Sequence, residues 1–220
     1  MTSELGDPAP GSHEFDIVGS RTVYAGAILA LRLDEVAMPG GRIAEREVVE
    51  HHPAVAVVAL ADDETVVLIN QYRHPVGRRL LELPAGLLDK PGEDPLEAAK
   101  RELAEETGLA ARDWSVLVDV ALSPGFTDEA LRIYLASGLY ETDRPAPELE
   151  EADIEIVHMS LQDAVRRAMA GEITNATAVA GVLALVTARA SGAELRPADA
   201  PWPGMPTEFL TRKARESGEE

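Results

Sequence analysis

Cysteine is absent from this sequence and basic residues are scarce, and each shortage excludes a class of function. Without cysteine the chain has no thiol nucleophile, no disulfide and no cysteine-based zinc site, a composition that fits a reducing compartment such as the cytoplasm. Only 20 residues are Lys or Arg against 39 that are Asp or Glu, which gives a formal net charge of -19. Nucleic acids and anionic membranes select basic surfaces, so we expect neither as a partner.

Long apolar runs are missing as well. No stretch approaches the roughly 18 apolar residues of a membrane-spanning helix, and residues 1–15 lack the basic and apolar regions of a signal peptide. A chain of 220 residues can form one sizeable core with a small accessory element. We expect a disordered lead-in at 1–12, an N-terminal β subdomain at 13–53, the main domain at 54–207 and a flexible tail at 208–220.

The segment from Gly86 to Leu109 contains the clearest helix pattern of the sequence. Asp94 and Pro95 are typical of a helix N-terminus, with an N-cap acceptor followed by proline at the first helical position. Glu97 stands three residues after the aspartate, where a capping-box partner is expected. Gly108 then ends the helix, because glycine readily adopts the left-handed conformation that follows a C-terminus.

Three carboxylates share one side of this predicted helix. At 100° per residue the apolar side chains fall on one face, and Glu102, Glu105 and Glu106 fall on an adjoining arc of about 100°. One interpretation is a solvated acidic face on which Glu97 and Arg101 pair at i,i+4. Glu102 and Glu106 are also four residues apart, however, and like charges at that spacing are destabilising unless a cation lies between them. A hard divalent ion such as Mg²⁺ or Mn²⁺ would supply that charge.

This pattern resembles the Nudix box. The match consists of Arg101-Glu102-Leu103-x-Glu105-Glu106-x-Gly108-Leu109, with Glu93 eight residues before the arginine. One feature departs from the family pattern, because six residues rather than five separate Gly86 from Glu93. The loop before the helix therefore has one additional residue, while the helical part of the motif stays in register.

Further segments resemble the ADP-ribose pyrophosphatase branch of the Nudix superfamily. They are Gln71-Tyr-Arg73, Leu81-Glu-Leu-Pro-Ala-Gly86 and Ser123-Pro-Gly-Phe126, whose proline lies 15 residues beyond Leu109. The resemblance implies an α+β Nudix fold, a mixed β-sheet sandwiched between helices, with a small N-terminal antiparallel β-sheet subdomain. It also implies divalent-metal-dependent hydrolysis of ADP-ribose to AMP and ribose 5-phosphate by a homodimer whose N-terminal sheets exchange.

The N-terminal subdomain is also predicted from the residues themselves. Alternating segments at 21–24 and 28–33, followed by a turn at Pro39-Gly-Gly41, are typical of a small antiparallel sheet. A sheet of about three strands is marginally stable alone and needs a surface to pack on. A second subunit is one such surface, in agreement with the homodimer that the resemblance implies.

The resemblance assigns roles to particular residues. The implied metal ligands are Glu102, Glu105, Glu106 and the backbone carbonyl of Ala85, with Glu106 also counted as catalytic. Water activation is assigned to Glu150, with Glu151 as the second choice, on a polar loop before a late strand. The residues expected to bind substrate are Arg46, Arg73, Glu82, Pro124 and Phe126.

Two other functions stay open at this point. The same metal site would serve a different nucleoside diphosphate sugar or a dinucleotide, because selection lies in pocket contacts that one sequence does not show. A non-catalytic nucleotide-sensing Nudix module is the other class, which an eroded box would have favoured. In each case the expected partner is a small-molecule nucleoside diphosphate derivative.

Overall fold

The computed structural model describes residues 11–90, 92–144 and 152–217. The strands are Ile17–Ala25 (β1), Leu29–Ala37 (β2), Ile43–His51 (β3), Ala54–Leu60 (β4), Thr65–Arg73 (β5), Arg78–Glu82 (β6), Ala85–Leu87 (β7), Leu109–Ala121 (β8), Ala130–Glu141 (β9), Glu155–Ser160 (β10) and Arg196–Pro197 (β11). The helices are Pro95–Thr107 (α1), Leu161–Met169 (α2), Ala176–Ser191 (α3) and Glu208–Ser217 (α4), with a 3-10 turn at His74–Val76. Within these ranges, no helix has the length and apolar character needed to cross a membrane.

The described chain divides into two compact units. The N-terminal unit contains the residues up to His52, the loop Ser123–Glu129 and the described residues from Pro206 onward. The larger unit contains Pro53–Leu122 and Ala130–Met205. The loop between β8 and β9 therefore belongs with the N-terminal unit, although both of its flanking strands belong to the larger one.

The N-terminal unit is built on an antiparallel sheet with the strand order β1-β2-β3, as the alternating sequence predicts. β2 and β3 pair along their full length, from Leu29 opposite His51 to Ala37 opposite Ile43. β2 has buried positions, whereas β1 is exposed along almost all of its length. The outer strand of this sheet therefore presents side chains to solvent on both faces.

Helix α4 differs from the flexible tail that composition led us to expect. Phe209 is fully buried, and its ring centroid lies 4.7 Å from that of His52. Arg212 donates to Glu50 through Nε and Nη2 at 2.7 and 2.8 Å, and Arg32 donates to the same carboxylate at 2.9 Å. The hydrogen bonds from Arg212 and Arg32 hold the pKa of Glu50 below its ordinary value, against the effect of burial. The buried Phe209 ring and the ion pair between Arg212 and Glu50 thus hold α4 in place, although this segment is rich in charged residues.

The larger unit contains a mixed sheet with the order β10-β5-β4-β9-β8-β11. β6 pairs with β5 and β7 pairs with β4, both antiparallel, while β4 and β9 pair in parallel. All seven residues of β4 are buried. A continuous apolar run of this kind is typical of a strand that is covered on both faces.

Helices cover both faces of this sheet, which confirms the predicted architecture. On one face, even-numbered residues of β4 pack in a cluster with α2 and α3; on the other, its odd-numbered residues pack with α1. Gly181 allows α3 to approach closely, because a Cβ at this position would lie 2.7 Å from Leu83 Cδ1 and 2.9 Å from Val58 Cγ2. The two clusters therefore place α3 on one face of β4 and α1 on the other.

Candidate active site

Helix α1 is held at both ends by the residues that the sequence indicated. The Asp94 carboxylate accepts hydrogen bonds from the backbone N–H groups of Leu96 and Glu97, at 2.9 and 3.3 Å. Pro95 occupies the first helical position. Gly108 follows the helix with a φ of 69° and donates to a carbonyl in its last turn. The predicted boundaries of this helix are confirmed.

The apolar face of α1 decides where its carboxylates point. Ala98, Ala99 and Leu103 are fully buried in the core, where they pack in one cluster with β4. α1 also contacts β7, the short strand that precedes it in the chain. Helical spacing then directs Glu102 and Glu106 toward β7, because both lie beside the buried face.

Two of the predicted metal ligands converge on the backbone of β7. Glu106 is only 6% exposed, and its Oε2 accepts a hydrogen bond from the Ala85 N–H at 2.9 Å. Glu102 lies directly over Gly86, where a Cβ would be 2.0 Å from Glu102 Oε1. Any other residue at position 86 would therefore displace this carboxylate. The glycine of the motif is explained by this close approach.

Arg101 binds three carboxylates at once. Its Nε and Nη2 donate to the two oxygens of Glu93, at 2.8 and 2.9 Å. Its Nη1 donates to Glu102 at 2.6 Å and to Glu105 at 2.9 Å. The pairing of Arg101 with Glu97 that a solvated face would favour is not the one observed, because Lys100 takes that carboxylate. The cation between two of these carboxylates, Glu102 and Glu105, is thus a side chain of the same helix.

These charge-assisted bonds shift the pKa values of Glu93 and Arg101. Hydrogen bonds from Arg101 hold the pKa of Glu93 below its ordinary value, although burial opposes the shift. The bonds to Glu93 and the nearby carboxylates also raise the pKa of Arg101. An arginine is already charged at any pH at which proteins fold, so the guanidinium is a permanent cation here.

The donor set fits a hard divalent cation. Within the described ranges, no group of three or more His, Asp or Glu side chains is arranged to hold a metal ion. The guanidinium of Arg101 lies against Glu102 and Glu105. Carboxylate oxygens are nonetheless the ligands that Mg²⁺ and Mn²⁺ prefer, and the bare Cα of Gly86 lets one carboxylate reach the backbone beside Ala85.

Arg73 and Glu82, two predicted substrate residues, form an ion pair in the larger unit. Glu82 is 3% exposed and lies on β6, which pairs with β5 where Arg73 ends that strand. Nε of Arg73 donates to Glu82 Oε1 at 3.0 Å, and Nη2 donates to Oε2 at 2.8 Å. A buried carboxylate with two such bonds orients the guanidinium, so Glu82 has a positioning role in this arrangement.

The other three predicted substrate residues belong to the N-terminal unit. Arg46 lies exposed on β3, and Pro124 and Phe126 lie exposed on the loop after β8. The same strand binds that loop, because the Val49 N–H donates to the Phe126 carbonyl at 2.7 Å and the Val49 carbonyl accepts from Asp128 N–H at 3.2 Å. Their contact with substrate stays a prediction.

The candidate bases Glu150 and Glu151 lie outside the described residues, so their role stays a prediction. Described residues on each side of that segment take part in arginine contacts. Arg144 donates through Nε to the Glu105 carbonyl, in the last turn of α1, at 3.0 Å. On the other side, Arg79 of β6 pairs with Asp153.

Sequence reasoning missed Arg144, and it did not predict the partners that Arg101 binds. Arg144 is 39 residues from its partner Glu105, and no local pattern links them. Arg101 was recognisable as part of the motif, but its bidentate bond to Glu93 spans the loop before the helix. Helical periodicity does not extend into a loop, so only the spacing within the motif could have indicated that pair.

The mixed sheet between helices and the acidic helix packed on a glycine-containing strand define a Nudix domain. The family model for the NUDIX domain matches residues 50–179. A second model, the nucleoside diphosphate sugar hydrolase N-terminal domain, matches residues 16–49. The chain therefore belongs to the Nudix family of pyrophosphohydrolases, which confirms the predicted family and fold.

Named relatives support the same assignment. The chain is 51% identical over 202 residues to an ADP-ribose pyrophosphatase of Mycobacterium tuberculosis, covering 92% of this chain and 98% of that protein. It is 33% identical over 165 residues to an ADP-ribose pyrophosphatase of Bacillus subtilis, covering 75% of this chain and 89% of the relative. A crystal structure of an ADP compounds hydrolase superposes with a TM-score of 0.69 at 24% identity, covering 82% of this chain and 97% of the other, and supports the fold.

Proposed function

We propose that this chain hydrolyses the pyrophosphate bond of ADP-ribose and releases AMP and ribose 5-phosphate. The observation that carries the proposal is the convergence of Glu102 and Glu106 on the Ala85–Gly86 backbone, in a chain similar over almost its whole length to a protein named ADP-ribose pyrophosphatase. Phosphoryl transfer asks mainly for positioning and for neutralisation of negative charge. An acidic site that collects a divalent cation meets the second need.

The metal ligands of the proposal are Glu102, Glu105, Glu106 and the Ala85 carbonyl, with Mg²⁺ as the first choice and Mn²⁺ as the alternative. When bound, such an ion neutralises charge on the pyrophosphate oxygens and lowers the pKa of a coordinated water. The chain itself presents its three carboxylates from one helix that is capped at both ends. Their relative positions are therefore set before the substrate arrives.

The remaining roles fall to residues outside α1. Glu150, with Glu151 as the second choice, would accept the proton of the attacking water. Arg73, oriented by the buried Glu82, would contact the anionic part of the substrate. Arg46 would add a second cation from the N-terminal unit. Such placed cations are needed because the chain as a whole carries a formal charge of -19 and repels anions.

We propose in addition that the protein is a homodimer whose N-terminal sheets exchange. Apolar side chains of the N-terminal unit are more than half exposed in the single chain, among them Phe15, Ile17, Val18, Tyr24 and Ile43. Exposed apolar patches of this kind mark interaction surfaces in soluble proteins. The absence of cysteine is consistent with a cytoplasmic enzyme.

A substrate panel tests the proposed reaction. ADP-ribose, other nucleoside diphosphate sugars and dinucleotides would each be incubated with Mg²⁺ and with Mn²⁺, and the products resolved by chromatography. We expect ADP-ribose to give the highest kcat/KM, with AMP and ribose 5-phosphate in equal amounts. Preference for another sugar would contradict the substrate while leaving the chemistry intact, and no turnover of any compound would favour a sensing module.

A further inference from the structure

Arg101 occupies two of the carboxylates that the proposed function assigns to metal. One nitrogen, Nη1, is shared between Glu102 and Glu105, at 2.6 and 2.9 Å. The other two nitrogens are both bound to Glu93. The guanidinium therefore binds two separate groups of partners. Its Nε and Nη2 bind Glu93, which precedes α1, and its Nη1 lies between Glu102 and Glu105 of the helix.

This division has an electrostatic reason. Glu102 lies four residues from Glu106 and three from Glu105, spacings at which like charges on a helix repel. The side chains are largely shielded from solvent, with 13% of Glu102 and 28% of Glu105 exposed, so water screens the repulsion only in part. Nη1 of Arg101 offsets that repulsion from within the cluster. A divalent ion bound by the same two carboxylates would do so with twice the charge.

We propose that Arg101 is an internal counter-ion that organises Glu102 and Glu105 before metal binds and yields both carboxylates when it does. This inference rests on the proposed metal ligands. Throughout the exchange Arg101 stays attached to Glu93, because a bidentate pair is geometrically separate from the Nη1 contacts and is the stronger half of the interaction. When metal binds, the divalent ion therefore replaces the Arg101 guanidinium as the cation between Glu102 and Glu105. Arg101 stays beside the site through its bond to Glu93.

Competition of this kind lowers the affinity for metal. If Arg101 must release two hydrogen bonds, its removal should strengthen metal binding, although it also removes the cation that keeps the apoprotein cluster stable. An arginine that served only to orient the ligands would act in the opposite direction, and its removal would weaken metal binding. The sign of the change therefore separates a competing counter-ion from a simple support.

The test compares Arg101→Met with Lys100→Met. Methionine keeps a long apolar stem and a good helix propensity while it removes the charge and the donors. Lys100 is the matched control, since it is the neighbouring cation on the same helix and pairs with Glu97 instead of the cluster. Binding of Mn²⁺ would be measured by calorimetry, and thermal unfolding would be recorded with and without Mg²⁺. Neither readout depends on the substrate.

We expect Arg101→Met to bind Mn²⁺ about threefold to tenfold more tightly than Lys100→Met, which corresponds to the net contribution of about one ordinary hydrogen bond. The apoprotein of Arg101→Met should unfold at a lower temperature than wild type, and Mg²⁺ should raise its Tm by more. Weaker or equal Mn²⁺ binding relative to Lys100→Met would overturn the proposal. If wild type binds no Mn²⁺ at millimolar concentration, the proposed metal site itself fails.

A measurement on wild type covers the case in which Arg101→Met does not fold. Arginine side-chain NMR signals of the ¹⁵N-labelled protein would be followed while Mg²⁺ is added. The Nε–H signal of Arg101, which reports the bond to Glu93, should persist, whereas the Nη1 signal should shift and lose its protection from exchange. An Nη1 signal that is unchanged at saturating Mg²⁺ would show that no exchange occurs.

Discussion

Replacement of Glu106 by glutamine separates the metal role of this residue from its structural role. Glu106 Oε2 accepts from the Ala85 N–H at 2.9 Å, and the residue is 6% exposed. Glutamine has the same shape, and its amide oxygen can accept the same hydrogen bond. What it lacks is the charge, and its amide nitrogen is a donor that repels a cation. We therefore expect Glu106→Gln to fold and to lose turnover.

The expected magnitudes follow from these contacts. Because the Ala85 bond is retained, the free energy of unfolding of Glu106→Gln should change by about 1 kcal/mol or less. Glu106→Ala would leave that buried N–H without its acceptor and should lose roughly 1–3 kcal/mol. Lewis-acid stabilisation of phosphoryl transfer is worth several kcal/mol, and each ~1.4 kcal/mol is a factor of ten, so kcat of Glu106→Gln should fall at least about 100-fold.

Two assays decide the outcome. AMP release from saturating ADP-ribose would be measured across a Mg²⁺ titration, and unfolding would be followed by circular dichroism in urea. Glu97→Gln is the control, because Glu97 is an exposed acid of the same helix that pairs with Lys100. It should change stability by no more than about 0.5 kcal/mol. A kcat for Glu106→Gln near that of wild type at saturating Mg²⁺ would remove Glu106 from the site.

Four further predictions concern other parts of the chain. Glu150→Gln should lower kcat by about 10² to 10⁴-fold with KM and Mg²⁺ dependence unchanged; a raised Mg²⁺ requirement would make it a ligand instead. Glu50→Gln should cost about 3 kcal/mol at pH 7, and because Arg212 lowers the pKa of Glu50 from 4.5, urea titrations should show the difference shrinking as pH falls below that value. Arg132→Met should lower the free energy of unfolding by about 3 kcal/mol, because its buried guanidinium pairs with a carboxylate and two carbonyls. Removal of residues 1–49 should give a monomeric or insoluble chain, and light scattering that finds the full chain monomeric would contradict the exchanged dimer.

The parts of the site that could be predicted are those set by local chemistry. Asp94 and Gly108 define the ends of α1 through bonds to residues at most four positions away, so the sequence alone indicates them. The shared arc of Glu102 and Glu106 follows from helical geometry in the same way. Such features survive in almost any tertiary context, which is why they matched the structure.

The parts that could not be predicted depend on long-range contacts. Arg132 is almost fully buried on β9, where Asp119 and the carbonyls of Ala200 and Pro201 accept its donors. Periodicity places an arginine at the surface by default, and only the fold brings these acceptors around it. The order of α4 has the same origin, since Arg212 meets a carboxylate 162 residues away.

The charges of the larger unit explain how an acidic protein can bind an anionic substrate. Arg101 and Arg73 are both bound to carboxylates that are largely shielded from solvent. Each arginine therefore contributes oriented hydrogen-bond donors more than net positive charge. The α1 cluster contains the single guanidinium of Arg101 and four carboxylates, those of Glu93, Glu102, Glu105 and Glu106. This cluster therefore has a net negative charge until a further cation binds. In the proposed mechanism, substrate and metal depend on each other: the anionic substrate needs the metal ion to offset the negative field of the protein, and the metal ion needs the carboxylates that produce that field. The carboxylates of the site repel the anionic substrate when no metal is bound. The same carboxylates would attract the divalent cation to which the substrate binds.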